Sequence, residues 1–379
     1  MKNWPGKMLR GTIAAACMAA IGGAAAAVPA QAEELRIAIG LTGDNGLVRG
    51  MQKFADNVAA NTDGAYTGKV FPNSLLNFAE AMTGVRDGIA DVAFVVPAYN
   101  RAEFPNSNLV VDMATASTDP VVMTGAANEF MFSCAACLKE YANQNQVFLG
   151  LSSIGPYYLM SKPKVATLDD FKAKKFRGFG PFGRWVEAMG ATPVVVSAND
   201  VYESISQGQL DGNTHTMDVL KSLSIGEVTD YVLDAPIGLY IGNSLFNLNR
   251  DVWDELSPEQ KKQFLLAAGD AHGFTTVEYL AENQRYLKDP SLVGVELVEP
   301  SPEVAEASAA FRKQDLETVA ALNRDKYQIA DAEDQVQRML GLVAKWEKLV
   351  AGIDKSDPKA VGELYNSEIF SKVDPASLD

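Results

Sequence analysis

The stretch from Lys174 to Asp218, KKFRGFGPFGRWVEAMGATPVVVSANDVYESISQGQLDGNTHTMD, constrains the fold more than any other part of the chain. A short strand ending at Arg177 runs into a turn of glycines and aromatics, then into a helix that gathers Trp185, Val186 and Met189 on one face. An apolar strand over Pro193 to Val196 follows. Asn199 and Asp200 are placed to start another helix by accepting bonds from its first free amides, and Gly208 to end it in a left-handed turn. This is a β-α-β-α-β unit, whose loops collect at one sheet edge, where α/β proteins hold ligands.

A chain of 379 residues exceeds one small core and suits two lobes. Its first residues read as an export signal. Lys2, Lys7 and Arg10 precede an alanine-rich apolar run from Thr12 to Val28, and Ala30-Gln31-Ala32 is a small-x-small cleavage site, so cleavage is expected after Ala32 and the mature chain starts at Glu33. A membrane anchor is disfavoured because alanine and glycine dominate the run, and a lipoprotein because no leucine precedes Cys17 as a lipobox requires. Losing three positive charges takes the formal net charge from −15 to −18. Such a chain repels nucleic acid and anionic surfaces at long range, so none is expected as a partner. A free organic anion meets the same repulsion and needs a local cation to capture it. Arg177, just after Lys172, Lys174 and Lys175, lies in the densest basic patch.

Cys134 and Cys137 survive processing, within a helical pattern running from Val121 to Tyr141. A C-x-x-C in an exported chain is a redox pair, half of a zinc site or a local disulfide. Its position inside a helix argues against the first, and with only His215 and His272 in the chain no zinc partner set is spaced for the second, so a structural role is expected. Gly178-Phe-Gly180-Pro-Phe-Gly183 matches G-x-G-x-x-G, but the strand before it is too polar, and two phenylalanines and a proline block close approach of a pyrophosphate. No nucleophile motif, P-loop or metalloprotease helix appears. Neither catalytic residue, metal nor cofactor is therefore expected.

Along the rest of the chain, Leu35 to Ile39 alternates as a first strand, and Val48, Met51, Phe54, Ala55 and Val58 fall at helical spacing. Gly64 to Phe71 reads as a strand, Leu76 to Val85 as a helix, and Asp91 to Val96 as a strand buried on both faces. Val147 to Ile154 reads as a crossover strand, with a hinge at Gly155-Pro-Tyr157-Tyr158, and Leu239 to Leu248 as a strand returning to the first lobe. Ser257 caps a helix that continues to Tyr286, long enough to span both lobes. Two helices, Val304 to Arg324 and Glu333 to Val350, and a docked tail complete the chain. The expected architecture is α/β and two-lobed, with a ligand cleft between the lobes: residues 33–154 and about 243–285 form lobe I, and 155–242 and about 286–379 form lobe II with the C-terminal helices.

Five ordered pieces carry a resemblance: Thr167-Leu-Asp-Asp-Phe171, Lys175-Phe-Arg177, Gly190-Ala-Thr-Pro193, Val201-Tyr202 and Gly208-Gln-Leu-Asp-Gly212. Together they resemble the signature of the extracytoplasmic solute-binding proteins of TRAP transporters, the DctP family. Gly84-Val-Arg-Asp-Gly88 and Ala90-Asp91 extend the similarity into the first lobe, to about residues 35–260. The resemblance implies a periplasmic-binding-protein-like fold, a periplasmic location and delivery of a small organic acid to a membrane permease. It also implies that Arg177 holds the ligand carboxylate. The family's asparagine contact falls on His215, so Asn213 and His215 are expected at the ligand.

Departures from the family pattern bear on the ligand. Where many members carry a second arginine this chain has Tyr157 or Tyr158, and where many carry phenylalanine it has Ala198. One change removes the partner of a second carboxylate and the other opens volume. With Tyr99, Phe179, Phe182, Tyr240 and Phe246 nearby in the pattern, the expected ligand is a hydroxy or oxo monocarboxylate, mevalonate- or pantoate-like or aromatic. The ligand-binding residues expected are Arg177, His215, Asn213, Tyr99, Tyr157, Tyr158, Phe179 and Phe246. The alternatives are a C4-dicarboxylate carrier of the same family, a sensing module with the same cleft, and an exported α/β enzyme using His215 with Asp211 or Asp218.

Overall fold

The structure is a computed structural model that describes residues 32–378. The export-signal expectation lies, apart from Ala32, outside the described residues. Eleven strands form two sheets: β1 (Glu33–Ile39), β2 (Tyr66–Pro72), β3 (Val92–Val95), β4 (Gln146–Val147), β5 (Tyr158–Ser161) and β6 (Lys175–Arg177) in the first half. β7 (Thr192–Val194), β8 (Gly212–His215), β9 (Tyr231–Leu233), β10 (Ser244–Asn249) and β11 (Glu296–Val298) follow. The lobe I sheet has the order β2-β1-β3-β10-β4, and the lobe II sheet β11-β9-β5-β8-β6-β7. This is the two-lobed α/β architecture that the sequence implies.

In lobe I, β1 pairs in parallel with β2 and β3, whereas β10 returns antiparallel between β3 and β4. All residues of β3 and β10 are buried, as a sheet covered on both faces requires. In lobe II, β6 runs parallel to β7 and β8, and β5 is antiparallel to β8 and β9. A side chain at Gly212 would lie 2.1 Å from the Met160 carbonyl, so β8 lies this close to β5 only because residue 212 is glycine.

Three segments join the lobes ahead of the C-terminal helices. Two extended crossovers run side by side, bridged at Ser152 and Asn243 and again at Pro156 and Leu239, and the Ile154 and Tyr157 amides donate to the carbonyls of Tyr240 and Gly238. The third is the helix Pro258–Lys288, whose 31 residues reach about 46 Å at 1.5 Å each. Ser257 and Gln260 close its capping box. Phe264 packs edge-on to Phe54 and Tyr66 in lobe I, while Tyr286 enters the lobe II core.

The C-terminal helices divide their packing. Helix Pro302–Tyr327 meets lobe II helix Gly180–Ala188, where the Trp185 indole donates to Ser308 and Arg184 pairs with Asp315. Ala332–Val350 and Pro358–Glu368 lie instead against helix Pro120–Phe132 and the long helix. The Trp346 indole donates to Glu129, Tyr365 to the Val121 carbonyl, and Gly273 meets Gly362 so closely that a side chain would come within 2.4 Å of its nitrogen. The first of these helices thus packs on lobe II, while large aromatics carry the other two onto lobe I.

Several local expectations differ. The helix of residues 76–85 is confined to Ala81–Arg86, with Leu76 and Phe78 in the loop before it. The continuous helix of 121–141 breaks at Ser133, and Cys134 caps the helix Ala135–Ala142 that follows, its sulfur bonded to Cys137 in a disulfide. Neither Asn199 nor Asp200 caps the helix Val201–Ser206 through its side chain. Among the described residues no single helix is long and apolar enough to cross a membrane.

Candidate functional site: a cleft between the two sheets

β6 and β8 are parallel neighbours, with Arg177 in register with Asn213, so their carboxyl ends deliver Arg177 and His215 to the same edge of the lobe II sheet. From lobe I, the segments after β1 and β3 bring Leu41, Leu47, Val96 and Tyr99 to face them. Between the walls lies a cavity of about 370 Å³, its mouth included, lined also by Phe78, Phe94, Tyr157, Phe179, Tyr240 and Tyr279.

Arg177 is 1% exposed. Its Nε donates to the Val196 carbonyl at 3.3 Å, Nη1 to the Thr214 carbonyl at 3.0 Å and Nη2 to the Tyr99 hydroxyl at 2.7 Å. Its plane stacks on Phe179, 4.6 Å from the ring centre. Tyr157 also lies within hydrogen-bond reach of the guanidinium, a planar group of the kind that a carboxylate meets by two parallel bonds. Among the described residues no carboxylate lies within ion-pair distance of this guanidinium. The contrast with Arg184 is direct, since it pairs with both Asp112 at 2.9 Å and Asp315 at 2.5 Å. Buried charges are normally paired, and the hydrogen-bond partners of Arg177 are instead two backbone carbonyls and a phenol.

Tyr99 completes the cationic corner. Its hydroxyl accepts from Arg177 and from the Ala198 amide at 3.0 Å, which leaves its own proton to donate into the cavity. Tyr157 stacks on Phe182 at 4.1 Å and on His215 at 4.7 Å, and burial pushes its phenol well above the usual range, so the ring stays a neutral donor beside Arg177. Phe179 sets its edge to Tyr99 and Tyr240.

His215 is a neutral group here. Burial, helped by the Arg177 charge, holds its imidazole well below its ordinary pKa. Its Nδ1 lies 2.9 Å from both the Thr216 amide and the Thr216 hydroxyl, which fix the orientation of the ring. Behind it, Thr216, Ser222 and Tyr279 all donate to the Asp218 carboxylate. Burial raises Asp218 to about 6 in spite of these bonds. Tyr279 comes from the long helix, so the helix that spans the lobes also anchors the cavity floor.

Of the eight residues singled out in the sequence, the cavity gathers Arg177, His215, Tyr99, Tyr157 and Phe179. The other three lie elsewhere. Asn213 is buried one pleat behind His215, its side-chain oxygen without a hydrogen-bond partner. Tyr158 points to the opposite sheet face from Tyr157, into the lobe II core, because neighbours on a strand alternate. Phe246 stacks on Phe54 at 4.5 Å in the lobe I core. Lys172 and Lys174 are tied to Asp169 and Asp211, leaving Arg177 as the cation of the cavity. Sequence reading missed Phe78, Phe94, Asn243 and Tyr279. Phe94 belongs to a uniformly apolar strand and Tyr279 to a long helix, where nothing local separates a cavity residue from a core one.

Three comparisons bear on this geometry. The family model of bacterial extracellular solute-binding protein family 7, DctP, matches residues 42–321. The ectoine/5-hydroxyectoine-binding periplasmic protein of Ruegeria pomeroyi is 28% identical over 276 residues, 70% of this chain and 77% of that relative. A TRAP periplasmic solute-binding protein of Bordetella bronchiseptica, solved with (R)- and (S)-mandelate, superposes with a TM-score of 0.71 at 23% identity, over 82% of this chain and 99% of that one. A TRAP solute-binding protein of Rhodoferax ferrireducens, solved with copurified benzoate, gives 0.69 at 21% identity, over 83% and 99%. The matched span runs from the loop after β1 through both crossovers and the long helix, and the chain belongs to the DctP family of bacterial extracellular solute-binding proteins.

Proposed function

We propose that this protein captures a small monocarboxylate with an aromatic or branched apolar body and passes it to the membrane permease of a TRAP transporter in the periplasm. One observation carries the reading: a fully buried arginine, with no carboxylate in range among the described residues, lines a mostly apolar and aromatic cavity. The single cation matches one carboxylate. A second carboxylate would meet neutral His215 and aromatic rings, and its desolvation would go uncompensated. The Tyr99 hydroxyl and the His215 ring supply hydrogen-bonding groups for a hydroxyl or oxo group on the ligand. The bound mandelate and benzoate of the structural neighbours are aromatic monocarboxylates, which supports this class.

The test is thermal unfolding of residues 33–379 with mandelate, 3-hydroxybenzoate, pantoate, mevalonate, succinate and ectoine. A ligand at 100 times its Kd stabilises the fold by about 2.7 kcal/mol, a shift of a few degrees for a chain this long. Shifts with the monocarboxylates and none with succinate are expected. A larger shift with succinate overturns the single-cation argument, and one with ectoine alone moves the ligand to an amphoteric ring.

A further inference from the structure

Asn199 carries a signal that reads as a helix start, yet its side chain is spent elsewhere. Its Oδ1 accepts from the Phe78 amide at 3.1 Å, and its Nδ2 donates to the Gly40 carbonyl at 2.8 Å. Asn199 follows β7 in lobe II, whereas Gly40 follows β1 and Phe78 precedes helix Ala81–Arg86, both in lobe I. A single primary amide therefore ties two lobe I loops to the rim of lobe II, using both halves of the group.

Two independent features prepare this contact. Gly40 and Phe78 meet so closely that a side chain at residue 40 would lie 2.8 Å from the Phe78 nitrogen, so glycine lets the two loops approach within reach of one amide. On the adjacent residue, the Ala198 amide donates to Tyr99 of lobe I, the same hydroxyl that orients Arg177. The other lip has its own bond, from the Thr42 hydroxyl to the Ser222 carbonyl at 2.5 Å. All of these cross the cleft, so opening breaks them together.

We propose that Asn199 is the clasp that sets how long the cleft stays closed over its solute. The inference rests on the solute-capture reading above and adds a residue that touches the lobes rather than the ligand. Its amide would lengthen residence without recognising the solute, so truncation should speed dissociation of every ligand by a similar factor.

The experiment places nitroxides at two exposed positions of residues 33–379, Ile89→Cys in lobe I and Gln209→Cys in lobe II, the native Cys134 and Cys137 being tied to each other. Electron–electron distances are measured with and without (R)-mandelate, and its dissociation is timed by stopped flow. Asn199→Ala is expected to lower the closed-to-open ratio about tenfold and to speed dissociation by a similar factor, the equivalent of one to two ordinary hydrogen bonds. Asn199→Asp, which keeps the acceptor and loses the donor, should open the cleft as well. Distances unchanged in both variants overturn the clasp, even where mandelate binds normally. An open shift in the variants of a protein that does not bind mandelate upholds the clasp and removes the aromatic-acid reading instead. If neither variant folds, Thr42→Val on the other lip decides, with a smaller opening expected and wild-type distances counting against the proposal.

Discussion

The two walls of the cleft are built from different chemistry. Lobe II contributes Arg177, His215 and, behind them, Thr216 and Asp218, all held by short bonds to backbone and to each other. Lobe I contributes Leu41, Leu47, Phe78, Phe94 and Val96, with Tyr99 as its polar exception. Under the proposed function, one wall meets the charge of the ligand and the other excludes water. A charge–carboxylate bond gains strength as the surrounding dielectric falls, so the apolar wall makes the arginine effective without touching it. The division predicts that lobe I substitutions act first on folding and lobe II substitutions first on binding.

The largest effect is expected from the apolar wall. Phe94 is 3% exposed and sets its edge to Phe78 at 4.9 Å, so Phe94→Ala should destabilise the fold by about 3–5 kcal/mol in urea unfolding. Next comes Arg177→Ala, expected to weaken binding of the acid found by the thermal screen by about 2–5 kcal/mol, roughly 30- to 5000-fold, in calorimetry. Unchanged affinity there would break the comparison at its centre, because the polar wall would no longer be the reader of charge.

Asp218 tests what the polar wall costs. Its carboxyl is raised to about 6 by burial, above the 3.8 of an unperturbed aspartate, so the folded state holds the proton more tightly than the unfolded one. The resulting stability is fully present below pH 3.8 and is lost as pH rises through 6. Asp218→Asn lacks this titration. From pH 4 to 7.5 the variant should gain on the wild type by up to about 3 kcal/mol in denaturant unfolding. A constant difference would mean that the three hydroxyl bonds to the carboxylate offset its burial.

The smallest effect sharpens the ligand class. His215→Phe keeps the stack on Tyr157 but removes the hydrogen-bonding ring nitrogens. It should weaken a hydroxylated acid about fivefold, close to 1 kcal/mol, and leave the unhydroxylated analogue almost unchanged. Equal loss for both would assign His215 to packing.

Much of the architecture was legible because it rests on local pattern. The cap at Ser257, the long apolar helix after it and the left-handed Gly208 each follow from the residues at hand. Arg177 was legible because it ends a strand before glycines. Tyr158 and Phe246 were drawn to the site by composition alone, and pleat alternation and a stacked partner take them into the cores. Asn199 shows the same limit from the other side. An asparagine before a helix suits a cap, and its actual partners lie 121 and 159 positions away in the chain.

The sequence by itself determined that the chain forms two α/β lobes around a strand-edge arginine, because hydrophobic period, glycines and caps act within a few residues. It also brought Arg177 forward as the candidate cation, and the arginine does line the cavity. Tertiary structure alone decided which aromatics face the cleft, that His215 is held neutral, and that among the described residues no carboxylate lies beside Arg177. Those properties depend on burial and on partners brought together by two crossovers and one long helix. They have no expression in any local window of the chain.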